Sequence, residues 1–383
     1  MNEMPNAQTG TSRSPLTTLF SWLVLLFALY LLLLAVAMVG DGFKLAAGTQ
    51  AQALFAFAEH PLAGLMVGLL ATALIQSSST VTSIIVGLVA GGLPIATAIP
   101  MIMGANIGTT LTNTLVSLGH LRCNNEFRRA FACATIHDFF NLLAVVIFLP
   151  LEMAFGILAH ISEWLVAPLS NSGNLNYVGF DFIKPLTKPV VIMVKSMLSG
   201  MSPTLAGTLM ALIGIVLIMA AITGMGKLLK RLMVGRAQEV LKHAIGRGPL
   251  HGITSGAAVT VLVQSSSTTT SLMVPFVGNG LLSLREVYPF TLGANIGTCI
   301  TALLAATAIS GPNALLALQI ALVHLSFNVL AVLVIYGIPA LRRLPLRAAE
   351  GLASLAIKNR MAVLGYLSGV FFVLPGILLL ATR

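Results

Sequence analysis

The pentapeptide Gln76-Ser77-Ser78-Ser79-Thr80 returns unchanged as Gln264-Ser265-Ser266-Ser267-Thr268, and each copy sits inside otherwise apolar sequence. Behind each copy comes Gly-Ala-Asn-Ile-Gly-Thr, at residues 104–109 and again at 293–298. His-x-x-Phe-Asn follows in both halves, at 137–141 and 324–328. The offset is 188 residues at the glutamine, 189 at the asparagine and 187 at the histidine. Slippage of one residue is what loops between equivalent helices absorb, so the chain reads as a duplicated unit. The match extends upstream, where Leu62, Gly64 and Thr72 pair with Leu250, Gly252 and Thr260.

Composition decides what surrounds the duplication. Hydrophobic residues make up 57% and charged residues 8%, whereas charged residues run near a quarter in soluble domains. Apolar stretches of spanning length recur throughout, at 16–40, 204–223 and 361–381 among others. Lipid demands that the backbone satisfy itself internally, so the fold class is an all-α polytopic membrane protein. The run 16–40 is too long for a signal-peptide core of about 7–15 residues and reads as a retained first span. The net charge of +10 is no nucleic-acid footprint, because the cations gather between apolar runs rather than on one aromatic-interleaved surface. Lys227, Lys230, Arg231, Arg236, Lys242 and Arg247 form one group; Arg342, Arg343, Arg347, Lys358 and Arg360 form another. The positive-inside rule places both in the cytoplasm and the polar stretch 170–203 outside. Cys123, Cys133 and Cys299 suggest packing residues, not a disulfide framework.

The expected order is a tail, first span and outer segment (1–60), with Asp41, Lys44 and Glu59 in that segment; then a first repeat (61–168). An outer loop, linking span and basic cytoplasmic loop (169–248) lead to the second repeat (249–340). A basic amphipathic segment and last span (341–383) close the chain. Glycines and prolines interrupt the apolar sequence around each Ser cluster, which predicts hairpins over 61–92 and 250–282, or helices unwound there. Such breaks are tolerated at membrane depth only where protein buries them or a wet cavity receives them. With two related repeats, an inverted arrangement of these broken helices is the expected one.

Three serines and a threonine beside a glutamine offer hydroxyls that donate and accept, and a helix break adds freed N–H groups at a positive dipole end. That environment suits a small anion with several oxygens. Asn106, Thr109 and Thr110, with Asn295, Thr298 and Thr301, offer the oxygens a hard cation prefers; the flanking glycines would turn main-chain carbonyls toward it. No Lys or Arg lies within either cluster, so an anion there requires accompanying cations, which favours cation symport. His137 with Asn141, and His324 with Asn328, share helix faces and read as interior residues supporting the site. No His/Cys/Asp/Glu set has metal-ligand spacing, and no Gly-x-Ser-x-Gly surrounds the serines, so a metalloenzyme or hydrolase is not expected. A symporter of some other oxyanion or carboxylate, and a non-transporting anion channel or sensor, fit the same residues.

The paired Gln-Ser-Ser-Ser-Thr segments, the block 102–114, the stretch from Phe127 to Asn141 and the Arg343-Leu344-Pro345-Leu346-Arg347 segment together resemble type II sodium–phosphate cotransporters. The resemblance runs over about residues 40–380. It implies sodium-coupled phosphate import by alternating access, with no cofactor beyond sodium as coupling ion. Phosphate would fall on Gln76, Ser77, Ser78, Ser79, Gln264, Ser265, Ser266 and Ser267; sodium on Thr80, Asn106, Thr109, Thr110, Thr268, Asn295 and Thr298. The implied partners are phosphate, sodium and the bilayer, without nucleic acid. Animal members carry a long, disulfide-bearing outer loop where this chain has a short cysteine-free one, so it looks like a bacterial inner-membrane member.

Overall fold

The computed structural model describes residues 15–47, 60–109, 111–171, 183–244, 248–309 and 313–381. Among them the chain is helical without strands, and seven helices are long and apolar enough to cross a membrane. The first-span helix α1 (Pro15–Ala47) packs along α9 (Pro203–Ala244). Small residues allow the approach: Gly42 lies on the backbone of Gly207 and Ala211, and Gly214 on that of Ala35. Lipid tails are as apolar as leucine, so close van der Waals contact across small residues has to hold such helices together.

Each repeat opens with a hairpin. In the first, α2 (Pro61–Ile75) turns at Gln76 into α3 (Ser78–Gly91). In the second, α10 (Pro249–Val263) turns at Gln264 into α11 (Ser266–Ser271) and α12 (Met273–Gly278). A helix that packs on the hairpin follows in each case. These are α4 (Ile95–Gly108), prolonged by α5 (Leu111–Ser117), and the single helix α13 (Leu284–Thr307). Ser283 starts α13 with a capping box, its side chain accepting from the Glu286 N–H while Glu286 accepts from the Ser283 N–H at 2.7 Å. Next come the long helices that carry the histidines, α6 (Asn124–Phe155) and α14 (Ala314–Ala331). Helix α7 (Ile157–Asn171) follows α6 at the end of the first repeat, and α8 (Ile183–Met197) lies between the repeats. The amphipathic α15 (Pro339–Lys358) and then α16 (Met361–Ser368) and α17 (Leu374–Ala381) end the described chain.

The matched glycines are packing residues. Gly68 and Gly104 leave room for no Cβ against the backbones of Met101 and Leu65, and Gly256 and Gly293 none against Phe290 and Ile253. Thus α2 clasps α4 as α10 clasps α13, through the same register. Gly104 and Gly108, and Gly293 and Gly297, were expected to turn carbonyls toward a ligand; instead they lie within helices, and their spacing of four stacks each pair on one face against a neighbouring helix.

The two hairpins end against different parts of the molecule. The end of α3 at Gly91 touches Gly40 and Phe43 near the end of α1, whereas Gly278 at the end of α12 touches His120 and Ala130. Between these two ends run α4 and α5, within a stretch, Ile95–His120, of membrane-spanning length.

Two expected loops are largely helical. The basic segment 226–248 continues α9 as far as Ala244, because Lys, Arg, Gln, Glu, Leu and Ala all favour helix once the chain leaves lipid. The outer stretch 170–203 contains α8. Thr110, Glu59, the first fourteen residues and 172–182 lie outside the described residues.

Candidate functional site

Gln76 (φ 60°, ψ 28°) and Gln264 (φ 54°, ψ 30°) are the two non-glycine residues of positive φ among those described. A left-handed residue ends each first helix, and non-glycine residues held this way cluster at functional sites at a cost of about 1–3 kcal/mol. The glutamine side chains compensate locally. Gln76 donates to the Ala73 carbonyl and accepts from Thr112 Oγ1 at 2.9 Å; Gln264 donates to the Val261 carbonyl at 2.7 Å and accepts from Thr301 Oγ1 at 3.0 Å. Thr112 and Thr301 stand 189 residues apart, the same offset as the asparagines.

The next residue caps the second helix. Ser77 Oγ accepts from the Thr80 N–H and Ser265 Oγ from the Thr268 N–H, both at 3.2 Å. Helix geometry leaves the N–H groups of Ser78 and Ser79, and of Ser266 and Ser267, without intrahelical acceptors. Two helix N-termini, each rich in hydroxyls, therefore point at one place. All eight residues of the two Gln-Ser-Ser-Ser segments line a single cavity of about 300 Å³. Val263, Thr268 and the α9 residues Ile222, Thr223, Gly226 and Lys227 complete its wall.

Outside the cavity lining the repeats exchange partners. Asn106 of the first repeat donates to Asn328 Oδ1 at 2.9 Å, and its Oδ1 meets His324 Nε2 at 3.1 Å, both on the second repeat's α14. Asn295 does the same in reverse, donating to Asn141 Oδ1 at 2.8 Å and meeting His137 Nε2, both on α6. All six side chains are buried. The histidines and asparagines expected to support the site are thus the cross-links that fix one repeat against the other.

The residues expected to hold cations are spread more widely. Thr268 lines the cavity and Thr80 sits beside it, its hydroxyl donating to Ser77 Oγ at 2.9 Å. Thr109 and Thr298 donate to carbonyls one turn back in their own helices, Ala105 and Ala294. Asn106 and Asn295 lie in the cross-link layer and do not line the cavity.

The Na+/Pi-cotransporter family profile matches residues 31–163 and 191–344. The chain belongs to that family. It is 35% identical over 422 residues to sodium-dependent phosphate transport protein 2A of Oryctolagus cuniculus, covering 91% of this chain and 65% of that protein. Protein 2A of Ovis aries is 35% identical over 431 residues (94% and 67%), and protein 2B of Homo sapiens 32% over 441 (92% and 64%). The chain therefore spans about two thirds of the length of these relatives. No solved structure matches it.

Two features of this cavity are not predicted from the sequence. Thr112 was recoverable, since the repeat offset from Thr301 points to it. Lys227 was not, because nothing in an apolar span announces that its end folds against a distant hairpin. Its presence on the cavity wall supplies the positive charge that the polar clusters themselves lack.

Proposed function

We propose that this protein carries inorganic phosphate across the membrane together with sodium, the anion being held between the two Gln-Ser-Ser-Ser turns. The observation that carries the reading is the convergence of two capped helix N-termini on one cavity. Phosphate has four oxygens to accept from free N–H and hydroxyl groups and one or two protons to donate to Gln76 or Gln264. Family membership and the printed names of the relatives, all transport proteins, support the same substrate pair.

Charge explains the sodium. Lys227 alone does not neutralise a divalent anion, and an uncompensated charge deep in a bilayer costs about 2.5–3.5 kcal/mol or more. Cations held by threonine and amide oxygens near the turns, with Thr268 and Thr80 adjacent to the anion and Asn106, Asn295, Thr109 and Thr298 outside the cavity lining, remove that cost; Thr110 is proposed for the same set from its sequence alone. Binding of anion and cation is then mutually dependent, which is coupling. Hairpins that end against different parts of the molecule give alternating access a natural form, one half rocking against the other about the His–Asn cross-links. The positive-inside rule puts Lys227 and α15 at the cytoplasmic face, and the short cysteine-free outer segment fits a bacterial inner membrane.

Uptake of radiolabelled phosphate into proteoliposomes decides the matter. An inward sodium gradient should drive accumulation above equilibrium, and sulfate or small carboxylates should not compete. Equal uptake without sodium contradicts the coupling; displacement by sulfate reassigns the substrate. Thr298→Ala should raise the sodium requirement more than the phosphate KM, and the opposite order would remove this threonine from the cation path.

A further inference from the structure

Away from the Ser turns, a second cavity of about 500 Å³ opens where α13 begins and α14 gives way to α15. Arg285, Arg342, Arg343 and Arg347 line it against a single carboxylate, Glu350. None of these charges is in an ion pair; among the described residues the ion pair found is His120 with Glu126. Arginines left unpaired around a concave space face mutual repulsion, which an anion relieves. Arg342 is held in place by stacking on Tyr336, its guanidinium carbon 5.2 Å from the ring centroid. A second observation points the same way: Tyr288 lines the cavity at 1% exposure, yet its hydroxyl has no hydrogen-bond partner. A buried hydroxyl in that state is costly unless a ligand completes it.

Size and place select the anion. The volume lies within the range of about 300–1,000 Å³ typical of small-molecule sites, more than one tetrahedral anion fills. By the positive-inside placement the site also lies at the membrane surface. Helix α15 turns Pro345, Ala349, Ala353 and Ala356 toward the protein while Arg343 and Arg347 stay exposed, and it joins the spans α14 and α16. Basic pockets between spans on the cytoplasmic side fit lipid head groups, and planar guanidinium forks match phosphate oxygens in pairs.

We propose that this cavity binds a phosphate ester, namely the head group of an anionic phospholipid, with Arg285, Arg342, Arg343 and Arg347 on its oxygens and Tyr288 donating from below. It is a site separate from the Gln-Ser-Ser-Ser cavity, and it docks the surface helix α15 to the bilayer.

Native mass spectrometry of the full chain in detergent tests this by titration with phosphatidylglycerol or phosphatidylcholine. Phosphatidylglycerol should bind at least about tenfold tighter. Arg343→Gln/Arg347→Gln, which alters exposed side chains only, should abolish most of that preference while leaving the melting temperature without lipid unchanged. Arg285→Gln, on a different helix, should weaken it in the same direction and guards against a folding defect in the double variant. Millimolar inorganic phosphate should leave the lipid bound. Unchanged lipid preference in both variants overturns the site, and displacement of lipid by inorganic phosphate overturns the head-group assignment.

Discussion

The two hairpins share a motif and a backbone turn but not their surroundings. In the first, Gln76 is exposed and α3 runs unbroken for 14 residues. In the second, Gln264 is 9% exposed and the returning helix breaks at Leu272, between α11 and α12. The break has a local cause: Pro275 stands where the first repeat has Gly87, and it withdraws the N–H that the Ser271 carbonyl needs. The second hairpin is also tied to the first repeat at one face. Ser267 donates to the Thr109 carbonyl at 3.2 Å, and Asn113 and Thr270 hydrogen-bond at 2.8 Å. The counterpart of Thr270 is Thr82, which bonds its own helix at Ser79, and the counterpart of Asn113 is Ala302. Sequence symmetry thus builds two matched turns, and a few departures from it tie the second hairpin to the first repeat by bonds that have no counterpart in the other half.

The strongest challenge to the symmetric half of this comparison lies in the glycines. Gly104→Val and Gly293→Val each drive a side chain into a facing backbone carbonyl, at Leu65 and Ile253. Both should abolish monodisperse folded protein on size exclusion, since even one surplus methylene group in a tight contact costs about 1–3 kcal/mol. Tolerance in one half alone would break the equivalence. Next in size, Ser78→Ala and Ser266→Ala should each weaken phosphate roughly tenfold in a binding titration, the loss of one hydroxyl contact to a charged ligand. Unchanged affinity in either would leave that half outside the anion site.

The asymmetric half is sharpened by a double-mutant cycle. Asn113→Ala and Thr270→Val should couple by about 0.5–1.5 kcal/mol in thermal stability, whereas Thr82→Val should show no coupling to Asn113→Ala. The smallest effect is expected at Lys227→Gln, which should raise the phosphate KM about threefold at low salt and less at high salt, as an exposed charge is screened. Salt-independent behaviour would remove Lys227 from the path of the anion.

The helical class was legible in the sequence, and so were the breaks at Gln76 and Gln264, because apolar stretches of spanning length leave few folds and glycine and proline crowd each Ser cluster. The glycines misled for a physical reason: glycine four residues from glycine serves equally a turned carbonyl and a helix–helix contact, and only the neighbour decides. The swapped bonds of Asn106 to His324 and of Asn295 to His137 were hidden because which helix faces which is a tertiary property. Lys227 was hidden likewise, its position in the chain marking only the end of a span. The charged segment after Gly226 looks like a loop by charge alone, but its Lys, Arg, Glu, Gln, Leu and Ala are good helix formers and continue α9 to Ala244.

The central claim is that both turns hold one anion. A crystal structure grown with arsenate, located by the anomalous signal of arsenic, tests it directly. One peak is expected in the 300 Å³ cavity, with oxygens about 2.7–3.2 Å from groups on both Ser77–Ser79 and Ser265–Ser267. A peak touching one turn only, or arsenate confined to the arginine cavity under α15, would contradict it.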